Sequence, residues 1–433
     1  MGAADLDAAM NISAICSSLT AGGYSVKFRG FSAIDRYLGL PALPFLWAET
    51  NADIAVLARF IDNLRFPGAE ISDAAVDTPE GTCYFRCLDS DEPEYIPKKE
   101  NDNSFPLLSF GYDCQTRHFL DPLGVYPQLR AFLKKSPQGA YYPAMPDSLL
   151  RGDEDVFFEQ ACCTGSDRYR IIMEASLLLS RYNYETLSST RVQNLAAALR
   201  NSSPEFRPGL PALRPGPEAE RVFLSSLLVS SRPDLGLEFL KRSGFLEELW
   251  PELAAFEAVD HSKEFHPEGN VWNHTLETFR YRKAISGGAF DLRLSMGLLL
   301  HDAGKPISAS IGSRQGNRRF NGHAELGARA AAQFLERLEF EPSFVSDIFY
   351  LVKNHMLPAA LKRLPLTKTS EIMASPLFPV LMELYRCDES SSFKGLDGYY
   401  ENSAAYQTFL KNKRNPYRSA DGRKIGKRKI YSH

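Results

Sequence analysis

Six of the eight histidines in this chain fall between residues 261 and 355, and several stand at the ends of apolar segments with helical spacing. His274 comes early in the segment Val271-Trp272-Asn273-His274-Thr275-Leu276-Glu277. His301 and Asp302 close the apolar run Leu294-Ser295-Met296-Gly297-Leu298-Leu299-Leu300. His323 opens a helical pattern over 324–338, and His355 ends one over 344–354. Asp388 lies in Leu384-Tyr385-Arg386-Cys387-Asp388, on a further apolar helix. An imidazole or carboxylate buried at the end of such a helix is costly without a partner. Helices of this kind therefore pack so that their polar ends meet one another or share an ion. Imidazole and carboxylate donors suit a divalent ion, one or two, drawn from Mn, Ni, Fe, Co, Zn or Mg. A carboxylate placed between two such ions can bridge them and hold a water in place.

The rest of the composition sets limits on this reading. At 433 residues, 44% hydrophobic and 24% charged, the chain has the make-up of a water-soluble globular protein. Its length implies two to four domains, since one core seldom grows past about 250–300 residues. Asp5 and Asp7 precede any apolar run, which argues against a secretory leader. No uncharged apolar stretch reaches the roughly 20 residues that cross a bilayer, so no membrane partner is expected. Seven scattered cysteines without a CxxC pair fit a reducing compartment, and a cytoplasmic location is expected.

The net charge of −3 conceals an asymmetry. Residues 411–433 hold nine Lys or Arg and one acid, leaving 41 bases and 52 acids in the body. The basic tail either neutralises RNA phosphates in a salt-dependent way or forms a solvated end.

Residues 11–135 read as mixed α/β. A first helix over 11–19 is stopped by Gly22-Gly23, and strands are expected over 24–28, 82–88, 107–112 and at Phe119-Leu120. Residues 89–104 read as a charged loop. From about 128 the pattern is helical, with segments over 169–182, 191–199, 218–230, 235–242 and 245–256 and a proline-rich connector over 200–217. The expected fold class is α+β: a small mixed head, then all-helical regions. The expected boundaries are a head over 1–130, a neck and arm over 131–255, a metal domain over 256–395 and the tail over 396–433.

The order His, His-Asp, His, His, Asp on successive helices resembles the HD superfamily of metal phosphohydrolases. That resemblance implies an all-helical domain in which His274, His301, Asp302 and Asp388 form a first metal set. His323 and His355 would hold a second ion. It also implies that Asp302 bridges the ions or orients the attacking water, and that Lys305 contacts phosphate. Arg314, Arg318 and Arg319 either assist Lys305 or form a solvated loop. The alternative is a set of core histidines or the remnant of a lost site. His261 and His266 are better read as structural, although His266-Pro267-Glu268-Gly269 recurs near the start of this domain in relatives.

A wider resemblance covers roughly residues 15–395. Asp121-Pro122-Leu123-Gly124, Asp167-Arg168-Tyr169-Arg170-Ile171-Ile172 and Gly244-Phe245-Leu246-Glu247-Glu248-Leu249 resemble head, neck and arm segments of the class II tRNA nucleotidyltransferases and poly(A) polymerases. The departures fall on the polymerase chemistry, which needs carboxylates for two divalent ions. The family's Gly-Gly-x-x-Arg-Asp is replaced by Arg29-Gly30-Phe31-Ser32-Ala33-Ile34-Asp35-Arg36. Its Asp-x-Asp is replaced by Pro44-Phe45-Leu46-Trp47-Ala48-Glu49-Thr50. Of the family's base-reading arginines, Arg168 and Arg170 match. Glu49 and Asp53 are four apart, a spacing that suits one helix face, and Asp89-Ser90-Asp91 opens the charged loop.

Together these resemblances imply a metal-dependent phosphohydrolase acting on a nucleotide or on an RNA end such as that of tRNA, in a scaffold whose polymerase site is lost. The rival readings are an active nucleotidyltransferase and a non-catalytic RNA-binding or regulatory protein.

Overall fold

The structure is a computed structural model describing residues 10–68, 71–88, 105–125, 129, 165–182, 190–201, 214–260, 269–285, 288–312, 320, 322–392 and 395–415. The charged loop over 89–104, Arg314, Arg318, Arg319, His261, His266 and the tail beyond residue 415 lie outside the described residues. The chain divides into two compact units. One comprises Met1–Leu249 with Ala284–Phe290, the other Trp250–Lys283 with Asp291–His433. Among the described residues, no helix is long and apolar enough to cross a membrane.

The first unit carries a six-stranded mixed sheet. Its strands are β1 (Val26–Arg29), β2 (Phe45–Thr50), β3 (Ala74–Thr78), β4 (Gly81–Cys87), β5 (Gly111–Asp113) and β6 (Phe119–Leu120), in spatial order β3-β4-β2-β1-β5-β6. Only β2 and β4 run parallel, with Phe45 opposite Thr82 and Thr50 opposite Cys87. Helix α1 (Ile12–Ala21) starts where the Asn11 side chain accepts the Ala14 N–H at 2.8 Å. Gly30 joins β1 to α2 (Phe31–Leu38) at φ +55, a backbone conformation that favours glycine.

Two expectations, one of a strand and one of a helix face, failed here. Residues 107–112 do not form one strand: Pro106–Ser109 is a 3₁₀ turn, and only Gly111–Asp113 pairs. Glu49 and Asp53 do not share a helix face. Glu49 sits in β2, and Asp53 caps α3 (Ile54–Phe60), its carboxylate accepting the Val56 N–H at 2.7 Å. Among the described residues the unit also has the helices α4 (Gly165–Arg181), α5 (Thr190–Asn201), α6 (Pro217–Leu228), α7 (Pro233–Arg242) and α8 (Phe245–Leu249).

The second unit is helical, with α9 (Pro251–Ala254), α10 (Val271–Thr278), α11 (Leu292–Leu300), α12 (Lys305–Gly312), α13 (His323–Arg337), α14 (Pro342–Asn354), α15 (Leu366–Met373), α16 (Phe378–Ser390) and α17 (Asp397–Arg414). Residues 294–300 of α11 are all buried, which makes it the central helix. Gly297 lets α16 and α14 close on it: a Cβ there would stand 2.9 Å from Leu384 and 3.3 Å from Leu351. The pair α13 and α14 is a hairpin whose turn uses Glu339 at φ +55, with Pro342 starting the second helix. In such a hairpin the first residue of one helix and the last of the next meet at the same end. His323 and His355 are those residues.

Candidate metal centre

Helix geometry delivers the six residues to one place. His301 is the C-cap of α11 and Asp302 follows it, so the most buried helix of the unit presents them at its end. The turn after Asp302 is pressed against the start of α13. A Cβ on Gly304 would lie 1.9 Å from the His323 carbonyl oxygen and 2.5 Å from the Gly327 N, so only glycine fits. This contact brings His323 to Asp302. His274 comes from α10, and Asp388 from α16.

The donor atoms fall into two overlapping trios. His274, His301 and Asp302 each offer a ligand atom within 4.8 Å of the others, and so do Asp302, His323 and His355. The two Asp302 oxygens divide between them. Oδ2 lies 3.3 Å from His301 Nε2, whereas Oδ1 lies 3.8 Å from His323 Nε2 and 3.9 Å from His355 Nε2. Asp388 Oδ1 lies 3.0 Å from His274 Nε2 and 4.0 Å from His301 Nε2.

Three of the imidazoles are oriented by backbone. His301 Nδ1 lies 2.8 Å from Leu298 O, His323 Nδ1 2.8 Å from Phe320 O and His355 Nδ1 2.7 Å from Val352 O. A carbonyl can only accept, so each Nδ1 carries the proton and each Nε2 presents its lone pair. His301 Nε2 is buried without a hydrogen-bond partner among the described residues. His323 Nε2 and His355 Nε2 face each other at 3.1 Å. An orphaned buried lone pair, two opposed lone pairs and a shared carboxylate are the donor set that a divalent cation satisfies.

The electrostatics agree. Burial opposes the Asp302 charge, but Lys305 at 2.5 Å and the neighbouring imidazole of His301 hold its carboxyl well below the usual range. Burial likewise opposes the Asp388 charge, and the hydrogen bond from His274 holds it low. Burial pushes His323 down and takes His355 to about 4. Near neutral pH the carboxylates are charged and these two imidazoles neutral, the protonation states that ligate metal.

An HD domain family model matches residues 271–378. A CC-adding tRNA nucleotidyltransferase of Thermus thermophilus is 31% identical over 205 residues, 47% of this chain and 46% of that protein. An A-adding tRNA nucleotidyltransferase of Deinococcus radiodurans is 33% identical over 178 residues, 40% of each chain. The chain therefore aligns with less than half the length of these curated relatives. Among solved structures, a tRNA nucleotidyltransferase complexed with a primer tRNA and an incoming ATP analogue matches with a TM-score of 0.46 and 14% identity, covering 92% of this chain and 99% of that one. Over part of its length the chain is thus similar to tRNA nucleotidyltransferases, and residues 271–378 match the HD domain.

The cavity of the HD domain has a volume of about 300 Å³. Besides Lys305 and five of the expected ligands, His301 not among them, its wall includes Phe320, Met356, Tyr385, Glu389 and Ser392, none of which the sequence reading proposed for the site. Spacing could have found the last three. Tyr385, Asp388, Glu389 and Ser392 stand at i, i+3, i+4 and i+7, one face where α16 ends. Three carboxylates face one lysine among these lining residues, a balance that repels phosphate until divalent charge is added.

The first unit holds a larger cavity of about 720 Å³, lined by Arg29, Trp47, Glu49, Arg86, Arg170 and Glu174 among others. Glu49 is the carboxylate that β2 contributes to this wall, and it accepts from Arg29 Nε at 2.7 Å. Asp35 is buried against Arg181 at 2.8 Å and the Tyr182 hydroxyl at 3.0 Å, where it anchors α4. Arg168 does not line this cavity. It is 1% exposed, doubly bonded to Glu248 and bonded to the Leu199 and Ser243 carbonyls, a structural position. Arg170 does line it, paired with Glu174 at 3.3 Å.

Proposed function

We propose that this protein is a metal-dependent phosphohydrolase acting on a nucleotide or an RNA end, with His274, His301, Asp302, His323, His355 and Asp388 as metal ligands. One observation carries the reading: Asp302 is shared by two donor trios, beside a buried His301 Nε2 without a hydrogen-bond partner among the described residues. A divalent ion bound there supplies positive charge for phosphoryl oxygens and acidifies water. The chain's own residues do the rest. The backbone carbonyls fix the imidazoles, Asp302 would orient the attacking water, and Lys305, which is ion-paired with Asp302, would contact a phosphate oxygen.

In this proposal the polymerase site of the scaffold is lost. Two-metal nucleotidyl transfer needs paired carboxylates, and on β2 the single Glu49 is already engaged by Arg29. The names of the relatives favour a second reading, an active CCA-adding enzyme with tRNA as partner. Incorporation of labelled CTP or ATP into a tRNA lacking its 3′ end decides that question.

The primary test is metal analysis beside a phosphatase screen with Mn, Ni, Co and Mg. Wild type is expected to carry metal and to hydrolyse a phosphate ester, and the double variant His301→Ala/Asp302→Ala to do neither. Equal activity in both proteins would overturn the proposal.

A further inference from the structure

The larger cavity lies wholly in the first unit, and its charge balance is the reverse of that in the HD domain. Its wall carries four arginines, Arg29, Arg86, Arg170 and Arg214, against two glutamates, Glu49 and Glu174. Each glutamate is in an ion pair with one of these arginines, Glu49 with Arg29 at 2.7 Å and Glu174 with Arg170 at 3.3 Å. A concave wall with that excess of fixed positive charge attracts an anion without any added cation.

The divalent ions of nucleotidyl transfer do not fit here. Among the described residues, the groups of three donors close enough to share an ion all belong to the second unit. Asp35 is buried against Arg181 and does not line the cavity, and Glu49 faces a guanidinium. The fold makes room for that guanidinium. Arg29 stands directly opposite Gly111 in the pairing of β1 with β5, and a Cβ on Gly111 would lie 2.7 Å from Arg29 Nη1. Arg29 Nε donates to Glu49 Oε2 at 2.7 Å and Nη1 to the Ser109 carbonyl at 3.5 Å. These bonds fix the side chain at the wall and engage two of the five N–H donors that a guanidinium carries.

Beside this cation lies an aromatic surface. Trp47 is stacked on Tyr84, with ring centroids 4.8 Å apart and planes inclined by 24°, and it lines the cavity together with Phe31, Tyr169 and Phe223. A volume of about 720 Å³ is in the range of small-molecule sites. Arginine binds phosphate through paired N–H donors, and aromatic side chains bury flat apolar rings.

We infer that this cavity is a metal-independent binding site for an organic phosphate carrying a flat ring, with the Arg29 guanidinium supplying the positive charge that a divalent ion cannot take up here. Glu49 is the internal counter-ion that the phosphate displaces. The inference concerns the first unit and is independent of the phosphohydrolase reading of the second.

Tryptophan fluorescence reads this cavity selectively. Of the three tryptophans, Trp250 and Trp272 are fully buried in the second unit, whereas Trp47 lines the cavity. The full-length protein is titrated with AMP, adenosine and inorganic phosphate, once in EDTA and once in Mg, and the quench is read within seconds of mixing. AMP is expected to bind with the same dissociation constant in both buffers and to give no quench in Trp47→Phe. It is expected to bind about tenfold or more tightly than adenosine or phosphate alone, the size of a hydrogen bond to a charged group. Arg29→Gln is expected to weaken AMP by a similar factor. Glu49→Gln, which removes the carboxylate competing for Arg29, is expected to tighten it severalfold, with folding of both variants checked by circular dichroism. A metal ligand would behave in the opposite way. AMP binding that requires Mg, or that Glu49→Gln weakens, overturns the inference and returns a cation site to the head, with no bearing on the HD centre. A Trp47 signal that ignores AMP in both buffers overturns it as well.

Discussion

His323 Nε2 and His355 Nε2 are 3.1 Å apart, and each ring has its other nitrogen committed to a backbone carbonyl. Two lone pairs at that distance repel unless a cation or a proton lies between them. Chelation is therefore expected to destabilise the protein as well as inactivate it. A ligand at about 100 times its dissociation constant contributes about 2.7 kcal/mol. Scanning calorimetry before and after EDTA, with re-addition of Mn, Ni, Co and Mg, should show a fall in Tm and its recovery. An unchanged Tm would remove metal from this site.

Gly304 offers a mutation that spares every donor. A methyl group added there meets the His323 carbonyl at 1.9 Å, and backbone on both sides must shift. Gly304→Ala is expected to cost about 1–3 kcal/mol, the usual penalty of overpacking. Because the shift separates His323 from Asp302, metal stoichiometry should fall as well. Urea unfolding beside metal analysis tests both, and a variant of native stability with full metal content would count against the close packing.

The metal-free protein should lose stability on the acid side of neutrality. Burial, followed by the neighbouring His301, takes His355 down to about 4 from the ordinary histidine value of about 6.5. Its folded-state pKa lies below its unfolded one, so protonation favours the unfolded chain. The stability is fully present above about pH 6.5 and is lost as pH falls toward 4. By pH 5 the expected loss is on the order of 2 kcal/mol from this residue. Urea midpoints of wild type and His355→Asn across pH 7.5 to 4.5 should diverge at the upper end and converge at the lower.

Arg168 provides a control in the other unit of the chain. It is buried and tied to Glu248 at 2.7 Å, so Arg168→Ala leaves that carboxylate without its partner. Breaking such a pair costs about 3–5 kcal/mol. Expression and thermal denaturation should reveal a severe loss, with no selective effect on metal binding in whatever protein folds.

These predictions rest on features that were unequally legible in the sequence. The positions of His301, His323 and His355 at helix ends, and of His274 early in α10, followed from the apolar periodicity of the helices that carry them. Strand β3 did not stand out, since Ala74 and Ala75 have little intrinsic strand preference and pair because β4 lies beside them. Strand β2 was hidden for a similar reason: Phe45-Leu46-Trp47-Ala48 lacks clean alternation, and its pairing partner in parallel register is residues 82–87. Arg168 shows another limit. A motif match can assign a role to an arginine, but its full burial against Glu248 depends on segments 80 residues apart.

The carbonyls that orient His301, His323 and His355 belong to Leu298, Phe320 and Val352, each three residues earlier in the chain. Every amino acid supplies such an oxygen. The braces of this centre are consequently indifferent to the identity of the residues that provide them, and substitutions accumulating there leave them in place as long as the local backbone course is kept. The head is held differently, with Asp35 and Glu49 relying on the particular side chains of Arg181, Tyr182 and Arg29. Sequence drift can dismantle that kind of support one residue at a time, whereas the braces of the histidine cluster survive any substitution that leaves the local backbone course in place.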